Sequence, residues 1–487
     1  MDVPFFENTG YHNPQVDTLT FRDEHGNAVR YRTDKMPDPN PLFSPRLGFN
    51  WDVSGDRTTI VRGGTGIFTA RPAYVWISNQ IGNNGVLTGF EQLDNTTARP
   101  FHPDPNHYKP TNVSGQPARS YELALTDPGF RFPQLWRSTL GVDQQLLFGF
   151  VGTAEFLYAR DVNGIYYINA NLKPADAAFT GPDNRPRWTS GNRINSMVTS
   201  AVVLKNQNVG YSWNIAFSLE RPWMDNWYFK AGYSYGVAKN TVDPGSIAFG
   251  SWNNNPHAGD PNNPGLGFSA NSPGHRAFAT ASYRFEYLSI GATTLSVFLN
   301  GQTNGNASYV YAGDLNGDGG TSNDLIYIPR DKSEMNFQDY SVNVNGQNVT
   351  FTAQQQADAW EAYIEQDLYL SKNRGKYAER GALFFPMVWR ADLSLTQEIA
   401  GDLFGNRQGL QLRLDILNFT NLLNKDWGVG QIPVSTQPLI ARGADSQGRP
   451  IYRLRNIGDK LIDRTFQQSA TINDVYRIQL SLRYTFN

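Results

Sequence analysis

The sequence predicts an all-β fold, an antiparallel up-and-down transmembrane β-barrel fragment with long extracellular loops and one loop helix. Three observations predict this open half-barrel. Apolar and polar residues alternate in about eleven segments, these segments are about 9–12 residues long, and short and long connections alternate between them. In the last segment, residues 474–487, one face is apolar and the other polar, and this period of two indicates a strand.

The composition excludes several classes of protein. The chain has 487 residues and a formal net charge of −2, and the absence of a basic cluster argues against a nucleic-acid partner. It has no cysteine, which excludes a disulfide framework, a thiolate metal site and a cysteine nucleophile. No apolar run approaches the ~20 residues that a membrane helix needs. A closed β-barrel is the remaining way through a bilayer, and its half-polar strands fit the mean hydropathy of −0.49.

The strands follow one another in pairs. We predict them at residues 47–53 and 59–69, 136–142 and 150–158, 211–219 and 227–237, 277–285 and 293–299, 389–399 and 410–416, and 476–486. Short turns join the two strands of each pair, whereas long loops separate one pair from the next. These loops cover roughly residues 70–135, 159–208, 238–274, 303–387 and 421–473. A soluble sandwich has no reason to sort its loops by end. An outer-membrane barrel has short turns on the periplasmic side and long loops outside.

The strand count predicts that this chain is part of a longer protein. Single-chain bacterial barrels have an even number of strands and both termini in the periplasm, whereas this topology places Met1 outside the cell. An open sheet would leave two unpaired edges in lipid. Residues 1–30 also lack the cationic start and apolar core of a signal peptide. We interpret residues 1–45 as the remnant of an extracellular loop and residues 46–487 as barrel.

One long loop carries a pattern typical of a Ca²⁺ site. Asp314, Asn316 and Asp318 occupy its first, third and fifth positions, a glycine is sixth, and Asp324 follows. Carboxylates converge there on a hard cation, while the glycine permits a sharp turn. An EF-hand has a bidentate glutamate at position twelve, where this chain has Leu325. We interpret the four polar residues as a structural Ca²⁺ site, and predict no organic cofactor. The alternative is a surface turn whose side chains cap their own backbone.

Two other patterns are interpreted as structural. Thr352 and Gln355 have capping-box spacing at the start of a helix predicted over residues 352–370, which we expect to pack on the extracellular loops. Gly232, Ser234 and Gly236 match the hydrolase pattern G-x-S-x-G, which requires a turn from strand to helix after the serine. Since Ser234 lies within a predicted strand, we interpret the match as coincidence. No catalytic residue is predicted, and the chain is not expected to be an enzyme.

Charges of both signs interleave on the predicted inner face, which favours pairing across strands. The residues predicted to face the interior, all charged except Asn50, are Asn50, Asp52, Arg62, Asp143, Glu220, Lys230, Arg390, Asp392, Arg413, Asp415, Arg477 and Arg483.

Several stretches resemble the C-terminal barrel of Oar-like TonB-dependent outer-membrane receptors, and the likeness runs from about residue 40 to the end. They read FSPRLGFNWDVSGD, VRGGTGIF, VAKNTVDPGSIAFGSWNNN, GDPNNPGLGFSANSPGHR, GDLNGDGGTSNDLIYIPRD, RLDILNFTNLLN and RIQLSLRYTF. The resemblance implies a barrel of about 22 strands with an N-terminal plug. Residues 46–487 would then be the C-terminal half of the barrel, and nothing in the chain matches the plug, the TonB box or the first barrel half.

The resemblance also implies a function. The chain would be part of a receptor in the bacterial outer membrane that binds a solute at its extracellular loops and mediates energy-coupled uptake. The implied partners are outer-membrane lipid, the TonB–ExbB–ExbD complex through the plug, the barrel-assembly machinery, and a small solute, oligosaccharide or peptide. Tyr484 and Phe486 resemble the C-terminal signal that the assembly machinery reads, although Asn487 replaces the usual last aromatic residue. Their alternative role is in the aromatic girdle.

Two further functions stay open at this point. One is a passive porin or a non-transporting surface scaffold, which a plug with a TonB box upstream would exclude. The other is a soluble, calcium-stabilised extracellular β-protein such as a carbohydrate-binding module, which fractionation without detergent would reveal. Aromatic loop residues such as Trp76, Trp188 and Trp252 fit a structural role as well as a solute contact.

Overall fold

The structure, a computed structural model, describes residues 1–4, 6–87, 97–109, 120–287, 291–403 and 406–486. Eleven long strands form one antiparallel sheet in which each strand pairs with the next along the chain. They are β1 (Arg46–Asp52), β2 (Thr59–Thr69), β3 (Gln134–Gln145), β4 (Val151–Asp161), β5 (Tyr211–Met224), β6 (Trp227–Asn240), β7 (Gly274–Tyr287), β8 (Gly291–Thr303), β9 (Met387–Leu403), β10 (Asn406–Leu417) and β11 (Arg477–Phe486). A two-residue strand, Gly267–Phe268, pairs with the end of β6.

The predicted strands are confirmed, and most extend further than the alternation indicates. The turn predicted over residues 221–226 is shorter, because β5 continues through Met224. Asp225 and Asn226 both have positive φ, 51° and 66°, as a two-residue hairpin turn of the type I′ requires. The predicted link at residues 288–289 lies outside the described residues. The turn predicted over residues 401–406 is shortened by β9, which runs to Leu403, and residues 404–405 are not described.

The two faces of the sheet differ as the alternation predicts. The apolar row of β11 is exposed along its length, with Leu480 at 68% and Leu482 at 71% exposure. Leu47, Phe49 and Trp51 form an equally exposed row on β1, at the opposite edge of the sheet. No second sheet covers these rows within the described residues. The apolar face is therefore free to contact lipid, as the outer face of a membrane barrel does.

Adjacent residues of β5 provide a test of this assignment. Phe217 lies on the exposed apolar face, and Ser218 alternates with it on the inner face. We expect Phe217→Arg to destabilise the barrel by about 2–4 kcal/mol, because it places a charge in the hydrocarbon region. Folding in lipid vesicles, followed by the heat-dependent gel shift across a urea series, measures the change.

Ser218→Arg is the matched control, since its charge enters the polar interior. Its folding midpoint is expected to stay near that of the unchanged protein. Equal losses for the two variants would contradict the assignment of faces.

The long connections form a packed layer of their own. Strand Val198–Gln207 pairs in parallel with Tyr121–Thr126 and antiparallel with Gly164–Asn169, giving a three-stranded sheet within the loops. Buried side chains from three different loops share one apolar cluster, which we call the Trp360 cluster. Its members include Phe179, Tyr309, Tyr311, Ile326, Ile328, Trp360, Tyr363, Ile364, Leu439, Tyr452 and Leu454. The loops thus have a core, which their polar composition does not predict.

The loop helix is confirmed as Ala353–Gln366, with both hydrogen bonds of the capping box in place between Thr352 and Gln355. It ends before the predicted residue 370, because Asp367 is extended and its carboxylate accepts the amides of Tyr369 and Leu370. The prediction of a single loop helix is wrong. Further helices are Pro14–Asp17, Tyr74–Gly82, Ala248–Asn253 and Phe419–Leu423. None of the described helices has the length and apolar character to cross a membrane.

The remaining elements are short and lie in the connections. Antiparallel pairs join Phe21–Arg22 to Ala28–Val29, Ala177–Ala178 to Pro186–Arg187, Asn306–Ala307 to Leu383–Phe384, Tyr327–Ile328 to Lys376–Tyr377, Tyr340–Val344 to Gln347–Phe351, Gln431–Pro433 to Phe466–Gln468, Leu439–Ala444 to Pro450–Leu454, and Asn456–Ile457 to Lys460–Leu461. Single 3₁₀ turns are at Leu147–Gly149, Lys332–Glu334, Leu370–Lys372 and Ile472–Asp474.

Candidate functional site

The inner face of the sheet carries paired charges. Arg62 Nε lies 2.9 Å from Asp143 Oδ2. Lys230 Nζ on β6 lies 2.8 Å from Glu220 Oε2, and Glu220 is directly opposite on the neighbouring strand β5. Cross-strand pairing is therefore confirmed for these residues. Arg413 instead contacts Asp415 of its own strand, at 2.8 Å.

Other charged contacts on this face are missing from the sequence-based set. Arg284 Nη1 lies 2.7 Å from Glu398 Oε2, across β7 to β9, and Glu155 lies 2.5 Å from Arg62. Arg284, Glu398 and Glu155 lie within the predicted strands, on the face that the same alternation assigns to the interior, and the sequence-based set omits them.

The predicted calcium residues divide into two groups. The two carboxylate oxygens of Asp314 accept the amides of Gly317 and Gly319, at 2.6 and 2.9 Å. Asn316 Oδ1 accepts the amide of Asp318 at 3.0 Å. Asp314 and Asn316 thus act as turn caps, as the alternative interpretation expects. Calcium binding by the four residues stays a prediction.

Asp318 and Asp324 instead meet a histidine from another loop. One donor atom each of His257, Asp318 and Asp324 lies within 4.8 Å of the other two, and all three residues are buried. The imidazole Nε2 is 3.0 Å from Asp318 Oδ2. The main chain fixes this arrangement, because His257 donates to the Asn323 carbonyl and accepts from the Leu325 amide.

A buried arginine joins the same acidic loop to a third loop. Arg185 Nε lies 3.0 Å from Asp183 Oδ1, and its Nη1 lies 3.2 Å from Asp324 Oδ1. Its Nη2 donates to the Leu325 carbonyl at 2.7 Å. Burial alone would lower the pKa of Arg185, but the carboxylates of Asp183 and Asp324 hold it well above the ordinary value. The guanidinium is therefore charged and fixes both acids.

The acidic loop residues have opposing pKa shifts. Burial, together with the nearby Asp318 carboxylate, raises the pKa of Asp314 to about 6. Burial would also raise the pKa of Asp318, but His257 beside it lowers the pKa below the usual range. The pKa of Asp324 is raised by burial, which outweighs the attraction of Arg185. Two of these three acids therefore resist ionisation in their buried positions, and a cation placed among them would favour their charged forms.

A separate cavity of about 490 Å³ lies among the loops between β6 and β9. Its lining includes Asp243, Ser246, Asn254, Phe268 and Arg380. The Arg380 guanidinium is buried and donates to Asn240 Oδ1 at 2.6 Å, and burial lowers its pKa. The cavity combines hydrogen-bonding groups with an aromatic ring, and its volume falls in the range typical of small-molecule sites.

The terminal aromatic residues lie on the last strand. Tyr484 and Phe486 are both exposed, and their ring centroids are 5.9 Å apart. Their position fits the girdle and the assembly signal equally, so the assembly signal stays a prediction. Asn487 lies outside the described residues.

Sequence reasoning misses His257, Asp183 and Arg185, because nothing near them in the chain marks them as neighbours of the 314–324 loop. Of the three tryptophans left open, Trp188 and Trp252 are buried, and Trp76 packs partly buried against their cluster. All three therefore have structural roles in the loop layer.

Residues 7–437 match the model of a protein family described as outer membrane beta barrel domain. No curated protein matches the chain. Among solved structures, the outer membrane transporter YddB from Escherichia coli is similar at 10% identity and a TM-score of 0.41, over 92% of this chain and 41% of that one. The siderophore receptor PirA from Acinetobacter baumannii is similar at 8% identity and a TM-score of 0.35, over 79% and 37%. The chain thus spans less than half the length of either protein.

Proposed function

Because the chain belongs to the outer membrane β-barrel domain family, we propose that it is part of a TonB-dependent receptor that binds a solute at its extracellular loops and mediates energy-coupled uptake. Its location is the outer membrane, with lipid against the exposed apolar rows. The solute would be a small molecule, an oligosaccharide or a peptide.

The loop cavity supports this proposal. A passive pore needs no binding cavity in its loops, whereas a receptor holds its solute there before transport. Asp243, Asn254 and the Arg380 guanidinium offer donors and acceptors, and Phe268 offers an apolar surface. Such a lining fits a polar solute with some apolar surface, held by several hydrogen bonds.

The two unpaired edges of the sheet support the proposal that this chain is part of a larger barrel. β1 and β11 end the strand order, and the described residues contain no strand that pairs with their outer edges. Unpaired backbone groups in lipid cost several kcal/mol each. We propose that residues 46–487 are the C-terminal half of a barrel closed by further strands and filled by a plug. TonB–ExbB–ExbD would act through that plug, and the barrel-assembly machinery would read Tyr484 and Phe486.

The remaining alternatives are separable. Family membership and the exposed apolar face contradict the soluble carbohydrate-binding module. A passive porin or a surface scaffold differs from a receptor in energy dependence, because diffusion through a pore continues without a proton gradient.

A cavity-filling variant tests solute binding. We expect Ser246→Trp to weaken binding about ten- to a hundredfold, because the indole occupies space that the solute needs and displacing it costs about 1–3 kcal/mol. Thermal stabilisation of the full-length protein by a panel of oligosaccharides, peptides and ferric chelates identifies the solute. Uptake of that solute is then measured in cells with and without a protonophore.

Ser54→Trp is the matched control, since Ser54 lies exposed in the short turn between β1 and β2. It should bind as the unchanged protein does. Uptake that persists with the protonophore would favour the porin, and unchanged binding by Ser246→Trp would exclude this cavity.

A further inference from the structure

We infer that His257, Asp318 and Asp324 form a binding site for a divalent cation of the zinc class, which ties two extracellular loops together. The three side chains are essentially removed from solvent, at 0%, 1% and 0% exposure. Their donor atoms lie within 4.8 Å of one another. Bonds of about 2.0–2.2 Å to one central ion place the ligand atoms about 3.5 Å apart, so the three side chains would close around the ion as it binds.

Two of the three residues carry buried polar atoms that lack a hydrogen-bond partner in the part of the chain that the structure describes. Neither ring nitrogen of His257 makes a hydrogen bond within the described residues, and the same is true of Asp318 Oδ2 and Asn323 Oδ1. The imidazole Nε2 is 3.0 Å from Asp318 Oδ2, yet the two atoms lack the orientation of a hydrogen bond. Buried side-chain polar atoms normally have a partner. A metal ion would supply one for a ring nitrogen of His257 and for Asp318 Oδ2 at once.

The charges of the cluster favour a cation. Two buried carboxylates, those of Asp183 and Asp324, contact the buried guanidinium of Arg185, and the buried carboxylate of Asp318 contacts His257. With all three acids ionised, this group carries two more negative charges than Arg185 offsets, away from water, which is a costly arrangement. A divalent cation neutralises them.

Protonation of His257 is the competing explanation. An imidazolium would donate from Nε2 to Asp318 Oδ2, but these two atoms, 3.0 Å apart, lack the orientation of a hydrogen bond. Two ligands of one metal ion need no such orientation, so the metal accounts better for the geometry.

The donor set selects the class of metal. Calcium takes oxygen ligands, whereas imidazole nitrogen with carboxylate oxygen suits zinc and its neighbours among the transition metals. The set also differs from the calcium interpretation, since it includes His257 and excludes Asp314 and Asn316. Asp183 and Arg185 would hold Asp324 in place from outside the ligand set, as second-layer partners of metal sites do.

The ligands come from two loops, with His257 in residues 241–273 and the two aspartates in residues 304–386. Arg185, from the loop of residues 162–210, reaches the site through its contact with Asp324. The proposed ion would therefore lock the layer in one arrangement.

Metal titration tests the site. The full-length protein is purified in detergent, stripped with a chelator, and titrated with Zn²⁺ and with Ca²⁺ against a chromophoric indicator. We expect about one tightly bound Zn²⁺ per chain, with Ca²⁺ unable to displace it at equal concentration. His257→Ala should lower the zinc affinity on the order of a hundredfold or more, since even outer partners of a metal site contribute 10–100-fold.

Two controls keep this result specific. His275→Ala removes an exposed histidine on β7 that contacts Tyr233, and it should leave zinc binding unchanged. Asp314→Asn, which alters the turn but not the ligand set, should also retain zinc. A heat-dependent gel shift establishes that each variant is folded.

X-ray absorption at the zinc edge of the unchanged, zinc-loaded protein tests the ligand set without any variant. Scattering from one imidazole together with oxygen ligands supports the site. Absence of saturable zinc binding, a spectrum without imidazole, stronger binding of Ca²⁺, or unchanged zinc affinity in folded His257→Ala would overturn it.

Discussion

Replacing Trp360 with alanine is expected to destabilise the extracellular loop layer by about 3–5 kcal/mol, the usual cost of removing a buried tryptophan. The indole is 0% exposed and stacks on Tyr363, with ring centroids 5.3 Å apart. It belongs to the Trp360 cluster, to which three loops contribute side chains. The cavity left behind would therefore weaken contacts between loops as well as within the helix.

Hydrogen–deuterium exchange of the protein in detergent measures this effect. Amides of Ala353–Gln366 should exchange faster by a factor that corresponds to the lost free energy, while the barrel strands keep their protection. Because the strands are held by their own ladders, the loss should stay within the loop layer.

Leu368→Ala is the matched control, because Leu368 follows the same helix but is 81% exposed. Its effect should stay within about 0.5 kcal/mol. Equal exchange in the two variants, or a loss of protection in the strands, would contradict a separate loop core.

The barrel strands were predictable because their pattern is local. A strand with lipid on one side and polar groups on the other must alternate at every position, so Leu480 and Leu482 report their face without knowledge of a neighbour. The short turns were less predictable, since hydrogen bonding carries β5 past Leu219 to Met224. Pairing of inner charges followed from the alternation as well, but Arg284 and Glu398 were left out of the set although they lie within the predicted strands.

The loop layer could not be predicted in the same way. Its contacts join residues far apart in the chain, such as Arg185 with Asp324 and His257 with Asp318. Local spacing correctly located the acidic loop but suggested ligands from that loop alone. The helix Tyr74–Gly82 was missed because its flanking segments are rich in turn-forming residues.

Replacing Asp474 with alanine is expected to cost about 3–5 kcal/mol in the loop before β11, because it leaves a charged partner unpaired. Asp474 is buried, and its Oδ1 accepts from the Gly430 amide at 2.8 Å and from Arg390 Nη2 at 3.0 Å. Its Oδ2 accepts from Ser469 Oγ and the Thr471 amide, both at 2.7 Å. One carboxylate thus fastens residues 418–476 to β9.

The same carboxylate predicts a pH dependence. Burial alone would raise the pKa of Asp474, but the hydrogen bonds from Gly430, Thr471 and Ser469 outweigh it and hold the pKa well below the usual value. A depressed pKa in the folded state means that the stabilisation is complete above the unfolded value of about 3.9. It is lost as the pH falls through the folded value. Amide exchange of the loop should therefore be insensitive to Asp474 ionisation between about pH 5 and 7.

Asp463→Asn is the matched control, since Asp463 lies in the same loop with its side chain 77% exposed beside Arg464. That exposed pair contributes little, and the control should change the loop by less than about 0.5 kcal/mol. Asp474→Asn keeps the shape of the side chain but removes its charge. The loop of this variant should therefore lack the loss of stability that protonation of Asp474 causes at acid pH in the unchanged protein. A loop whose stability is the same in Asp474→Ala and Asp463→Asn would show that the Arg390 contact does not anchor it. The expected contrast arises because water surrounds both side chains of the Asp463 pair, whereas the Asp474 carboxylate is only 4% exposed and is therefore screened less.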